Sequence, residues 1–266
     1  MTNTKNLGIA VVTGATGGVG ASYAQGLAER GYDLLLVARD AAALCALADT
    51  IATSTGRNVD MDALDLADST RLAQLTKRLE QDSRVSLLAN IAGSATFSAF
   101  PALDTGKIDQ TIAVNITALT QLSRAVAPGL VARGDGVIVN FASVLAFRPW
   151  AEFNVYNASK AYVVALSQSL QAQLRDKGVL VQVVAPPATA TPFWQEAGFS
   201  LENLPAKAVM KREDLVAAAL LGLDRREEWV LPSLADVAVW DAYEAGRAEL
   251  VKGMMNGALA ARYTDA

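Results

Sequence analysis

Seven short apolar runs recur along the chain: "IAVVTG" from Ile9, "DLLLVAR" from Asp33, "VDMDALD" from Val59, "VSLLANIAG" from Val85, "GVIVNFAS" from Gly136, "GVLVQVVAPP" from Gly178 and "EWVLPS" from Glu228. Longer segments rich in Ala, Leu, Gln, Arg and Glu separate them. The central runs are apolar at successive positions rather than at alternate ones, the pattern of strands covered on both faces. Strands alternating with helices in this way predict an α/β chain with a doubly wound, mainly parallel, seven-stranded sheet and helices on both faces. No Ser/Gly/Pro-rich linker or low-complexity tract interrupts the rhythm, so residues 1–266 are read as one domain. Asp40 and Asp68 precede the helical patterns "AAALCALADTIA" and "STRLAQLTKRLEQD" as N-caps, and Asp214 lies in the acidic first turn of a third, "EDLVAAALLGL". Over about residues 235–263, Val237, Trp240, Tyr243, Leu250 and Met254 share one helical face. That face predicts a C-terminal helix packed on the core or on a second subunit.

Composition narrows the chemistry. With 52% hydrophobic residues the chain can fill a large core, and its net charge of -4 offers no basic stripe for a nucleic-acid backbone. It contains no histidine and a single cysteine, Cys45, which excludes disulfide frameworks, His/Cys metal sites and histidine-based triads. No metal is expected, and acid-base work falls to other side chains. The leader "MTNTKNLG" lacks the apolar core of a secretory signal, so a cytoplasmic location is expected. Two uncharged stretches, residues 85–103 and 178–195, are broken by Gly93 and Pro101 and by Pro186, Pro187 and Pro192. They read as buried strands running into loops, not as membrane spans.

The stretch "VVTGATGGVG", residues 11–20, leaves the first strand and enters a helix. Gly14 allows a tight turn, Gly18 lets backbone amides approach an anion, and Gly20 allows the helix to pack closely on the sheet. The end of the helix then offers its positive dipole to a dinucleotide diphosphate; the alternative is a plain tight strand-to-helix turn.

The order Thr13-Gly14-x-x-x-Gly18-x-Gly20, Asp65 in "ALDLAD", "NIAG" at residues 90–93, Asn115 in "VNITAL", Ser143 in "IVNFASV" and Tyr156-Asn157-Ala158-Ser159-Lys160 resembles the short-chain dehydrogenase/reductase family up to about Pro232. The resemblance implies a Rossmann-like fold, a nicotinamide dinucleotide and a catalytic tetrad of Asn115, Ser143, Tyr156 and Lys160. Tyr156 is the implied general acid for reduction and base for oxidation, with Lys160 and the oxidised nicotinamide drawing its phenol toward working pH. Ser143 holds the substrate oxygen, Asn115 holds a water that relays protons to Lys160, and Lys160 also grips the nicotinamide ribose. Cofactor contacts are implied for Thr13, Gly14, Thr16, Gly18, Val19, Gly20, Arg39, Asp65, Leu66, Asn90, Ala92, Gly93, Tyr156, Lys160, Pro186, Thr189 and Thr191. Structural alternatives stand beside three of these roles: a turn for Asp65, a tie between strands for Asn90, and a bent helix for Asn115.

Two positions depart from the family pattern: Ile91 stands where a second asparagine is usual, and Pro187 replaces a glycine, fixing φ and removing a donor beside the nicotinamide. The segment over residues 188–205 matches the family's substrate loop. At the end of "LLLVARD" the position that carries a ribose-binding acid in NAD-selective relatives is Ala38, and Arg39 follows with a planar fork suited to a 2′-phosphate. NADP is therefore the expected cofactor, with NAD open if Asp40 reaches the ribose instead of capping its helix. The expected activity is interconversion of a small carbonyl compound and its alcohol; a dinucleotide-binding sensor without turnover is the alternative. Leu145, Phe147, Trp150, Phe153, Phe193 and Trp194 flank the motifs and suggest an apolar or aromatic substrate, unless they serve only packing. Relatives also imply a homodimer or homotetramer, joined through the helix after Thr105 and the helix bearing Tyr156.

Overall fold

The computed structural model describes residues 6–264. Its seven strands are β1 (Ile9–Thr13), β2 (Asp33–Ala38), β3 (Val59–Ala63), β4 (Val85–Asn90), β5 (Gly136–Phe141), β6 (Val179–Val184) and β7 (Trp229–Val230). They form one sheet in the order β3-β2-β1-β4-β5-β6-β7, and every pairing is parallel. The helices are α1 (Gly18–Glu29), α2 (Ala41–Thr55), α3 (Ser69–Gln81), α4 (Thr105–Ile112), α5 (Leu119–Arg133), α6 (Asn154–Leu174), the short α7 (Phe193–Glu196), α8 (Arg212–Asp224) and α9 (Val237–Met254).

The apolar runs are continuous because each strand feeds two cores. Ala10, Val12, Leu34, Leu36, Leu87 and Ala89 point to one face, where Tyr23 and Leu27 of α1, Leu44 and Ile51 of α2 and Ala219 of α8 cover them. Val11, Leu35, Val37, Leu88 and Ile138 point to the other, under Leu72, Leu75 and Leu79 of α3 and Leu122, Val126 and Leu130 of α5. Local chemistry marks where helices begin. Asp40, Asp68, Asp104 and Asp236 cap α2, α3, α4 and α9 by accepting backbone N–H bonds.

The polypeptide divides after Pro232 into two compact units. The first holds the sheet, helices α1–α8 and every candidate site residue. In the second, α9 has no buried residue; Val237, Val239, Leu250 and Met254 are exposed. No helix among the described residues is long and apolar enough to cross a membrane.

Strand order reverses between β1 and β4, where Thr13 lies opposite Asn90 and Asn90 opposite Asn140. Connections leaving the two strands here go to opposite faces, which opens a crevice beyond their carboxyl ends. The loops over residues 14–17, 91–99, 142–153 and 185–211 leave the sheet at this edge.

Candidate active site

The floor of the crevice is built by close backbone approach. Gly14 has φ +67, and a Cβ there would stand 2.8 Å from the backbone N and Cα of Ala92. A Cβ at Gly20 would stand 2.2 Å from the carbonyl oxygen of Gly14. Only glycine fits either position, so the start of α1 is drawn down onto the turn. Gly17 stands at the N-cap of α1 and supplies no side-chain cap. The first turn of α1 thus presents its positive end at the crevice, with partly exposed Thr16, Gly18 and Val19 along it.

Thr13 is 1% exposed and is spent on structure: its Oγ1 accepts from the backbone N of Ile91 and of Ala92 and donates to Ala89 O. It fixes the "NIAG" turn against β1. Asn90 is also buried, its Nδ2 donating to Asn140 Oδ1 at 2.9 Å and to Ser123 Oγ at 3.2 Å, so it ties β4 to β5 and α5. Asp65 closes a turn by accepting from Ala67 N, and Leu66 is buried beside it. Ala92 and Gly93 lie at the edge of the crevice; a Cβ at Gly93 would be 3.7 Å from Asn115 Oδ1 and 3.9 Å from Lys160 Nζ.

Tyr156, Ser159 and Lys160 lie on the buried face of α6. Ser143, at the mouth of β5, faces the Tyr156 phenol closely enough to lower its pKa and accepts from Leu145 N at 3.1 Å. Lys160 Nζ donates to Phe141 O at 2.7 Å and stands 5.6 Å from the centroid of the Tyr156 ring. Burial governs the titration of both groups. It pushes the Tyr156 phenol up to about 12, against the opposing effect of Ser143, and brings the Lys160 ammonium down to about 8. The lowered phenol implied for the loaded enzyme is therefore not a property of the chain alone, where loss of water around both groups outweighs their proximity.

Asn115 sits in a π-helical turn, Ala113–Ala118, between α4 and α5. Its Nδ2 donates to Ser94 O and to Ser159 Oγ, both at 2.9 Å, and its Oδ1 accepts from Ser94 N at 2.8 Å. Both amide donors are committed to tying the loop after β4 to α6, which leaves the side chain one acceptor lone pair. A π turn inside a helix is an irregularity that recurs at functional sites.

The loop after β6 forms the opposite wall. Pro186 O accepts from Val144 N, and Thr189 is buried, bridging to Met210 and accepting from Trp194 Nε1 at 2.9 Å. Thr191 is partly exposed, and its hydroxyl donates to Thr189 O. Within residues 188–205 the chain forms α7 and a 3-10 turn at Leu201–Asn203, and Ala197 O accepts from Phe97 N at 2.7 Å. Aromatic rings fill the space between these loops. Phe193 and Phe153 lie 5.8 Å and 6.1 Å from Tyr156, and Phe97, Trp150, Trp194 and Phe199 pack on Phe153. Phe153 and Trp194 are buried packing, whereas Leu145, Trp150 and Phe193 stay partly open. Phe147 belongs elsewhere, against Trp229. Sequence reasoning missed Phe97 and Phe199, which no motif flanks, and Ser94 and Ser159, which anchor Asn115.

A dinucleotide fits this donor set: a glycine floor that a Cβ would fill, a helix N-terminus without a side-chain cap, and a buried ammonium beside a phenol. Residues 8–200 match the model of the family described as short chain dehydrogenase. The chain belongs to that family. Among solved structures, a short-chain dehydrogenase from Sphingobium yanoikuyae in complex with NADPH is 41% identical with a TM-score of 0.92, over 96% of this chain and 100% of that one. The bulky-bulky ketone specific alcohol dehydrogenase from Comamonas testosteroni is 36% identical with a TM-score of 0.90, over 98% and 100%. The 17-beta-hydroxysteroid dehydrogenase type 3 of Mus musculus is 33% identical over 187 residues, 69% of this chain but only 61% of that protein. The match thus spans less than two thirds of that relative's length.

β2 ends at Ala38, which offers no carboxylate. Arg39 is exposed at the same edge, and Asp40 is held as the cap of α2, its Oδ1 accepting from Ala43 N at 3.0 Å.

Proposed function

We propose that this short-chain dehydrogenase is an NADP(H)-dependent reductase of ketones flanked by bulky apolar groups. The observation that carries the reading is the buried cluster of Ser143, Tyr156 and Lys160 facing a wall of aromatic rings at the sheet's switch point. The NADPH complex of the Sphingobium relative supports the cofactor, and the bulky-ketone specificity of the Comamonas relative supports the substrate class.

When bound, the dinucleotide supplies the hydride equivalent that reduces the carbonyl carbon. The amides at the start of α1 hold its diphosphate, Arg39 pairs with its 2′-phosphate, and Lys160 hydrogen-bonds its ribose. Ser143 and Tyr156 donate hydrogen bonds to the substrate oxygen, and Tyr156 yields its proton to that oxygen as negative charge develops there. A phenol held up to about 12 is fully protonated at neutral pH, the form that reduction requires. Lys160 keeps the positive charge that stabilises the resulting phenolate at pH values below about 8. Leu145, Trp150 and Phe193 line the approach and exclude water from around these groups.

Absorbance at 340 nm with NADPH and a panel of ketones tests the reading. Turnover is expected with aryl ketones carrying bulky groups on both sides of the carbonyl, well above that with acetone. Tight NADPH binding without turnover on any ketone contradicts it and favours a sensor.

A further inference from the structure

We infer that Arg212 is a diphosphate-binding residue of this chain, closing the cofactor site from α8. The inference rests on the dinucleotide reading above and concerns a residue outside the glycine loop and the catalytic set.

Helices α1 and α8 run side by side in a fixed register. A Cβ at Gly26 would stand 2.3 Å from Leu220 Cδ1, and Arg30 binds Asp224 through paired bonds of 2.8 Å and 2.7 Å. The same offset of 194 residues that joins Arg30 to Asp224 pairs Gly18 with Arg212. A Cβ at Gly18 would indeed stand 3.1 Å from Arg212 Cδ, 3.4 Å from its Nη1 and 3.7 Å from the methyl of Thr191. The guanidinium is thus delivered to the glycine at the start of α1, beside the threonine of the opposite wall. A backbone bridge from Thr189 to Met210 anchors the approach to α8 at this point.

The electrostatics of the arrangement call for an anion. Parallel register brings the positive ends of two helices together, and neither Gly17 nor Lys211 supplies a side-chain cap. Lys211 and Arg212 stand at this end as well, balanced by Glu213 and Asp214 of the same first turn, so the surplus positive potential comes from the two helix starts. The only side chain bound to Arg212 among the described residues is its neighbour Glu213, through bonds of 2.9 Å and 2.6 Å in an exposed pair worth little to stability. Arg212 can therefore exchange a weak local partner for a diphosphate without cost to the fold, and a planar fork suits that partner.

Titration calorimetry on the cofactor-free protein tests this with NADPH, NADH, ADP-ribose and 2′-AMP as probes. For Arg212→Met, affinities for NADPH, NADH and ADP-ribose are expected to fall together by roughly ten- to a hundred-fold, with 2′-AMP unchanged and the melting temperature preserved. Arg212→Lys should recover part of the loss. Arg39→Ala is expected to give the opposite pattern, weakening NADPH and 2′-AMP but leaving NADH and ADP-ribose nearly as they were. Unchanged ADP-ribose affinity in Arg212→Met, or a loss confined to the 2′-phosphate probes, overturns the assignment while leaving the dinucleotide reading intact. A wild-type chain that binds none of the four overturns both.

Discussion

At the residue scale, Lys160 carries a cost that the fold bears for the sake of the site. The residue is 5% exposed, its ammonium donates to one carbonyl, and burial lowers its pKa from 10.5 to about 8. In the unfolded chain the same group holds its proton up to about pH 10.5, so between pH 8 and 10.5 the unfolded state binds more protons. The penalty on folding is therefore full below about pH 8 and fades as pH rises toward 10.5. Lys160→Met should raise the melting temperature by several degrees at pH 7 while abolishing activity, and the gain should shrink between pH 8 and 10.5. Calorimetric melts of both proteins across that range check it; a variant less stable at pH 7 would show that the buried charge is compensated.

At the scale of elements, the glycines of the first turn are explained by backbone contact. Because Gly20 faces the Gly14 carbonyl at a distance no Cβ tolerates, Gly20→Ala must move α1 off the turn. It should lower the melting temperature by several degrees and weaken dinucleotide binding more than ten-fold. Gly129, on the exposed face of α5, has nothing within 4 Å of where its Cβ would go, so Gly129→Ala should stabilise by about 1 kcal/mol through helix propensity alone. Thermal melts and calorimetric titration distinguish the two; equal effects would show that helix propensity, not contact, decides both. These elements are also where the sequence was most legible. Continuous apolar runs marked the doubly covered strands, and Asp40 and Asp68 marked helix starts, since both signals are local. The π turn at Asn115 and the commitment of its amide to Ser94 and Ser159 were not legible, because they depend on partners 21 and 44 residues away. The convergence of Gly18 with Arg212 was hidden for the same reason: it exists only through the packing of α8 on α1.

For the molecule as a whole, apolar surface is distributed unevenly. On α6, Ala158, Ala161, Tyr162 and Ala165 are exposed along one side, with Tyr162 bonded to Thr120 of α5 at 2.9 Å. On α9, Val237, Val239, Leu250, Val251 and Met254 are 45–72% exposed. We propose that these two faces take part in self-association between identical chains. Light scattering at micromolar concentration is expected to give a particle of two or four times 27.9 kDa; a 27.9 kDa particle alone would contradict it. The periodicity of α9 was visible in the sequence, but what covers it was not, because an apolar stripe looks the same whether it meets a core or a partner.

In the proposed reaction Tyr156 delivers the proton to a ketone while taking little part in holding the dinucleotide. The most direct test compares wild type and Tyr156→Phe in two readings on the same samples: the NADPH dissociation constant, and kcat/KM for an aryl ketone followed at 340 nm. The site geometry predicts dissociation constants within a few fold of each other and a loss in kcat/KM of at least about a hundred-fold, the usual size of a general-acid contribution. A variant that kept wild-type turnover across pH would contradict the assignment of Tyr156 as the acid.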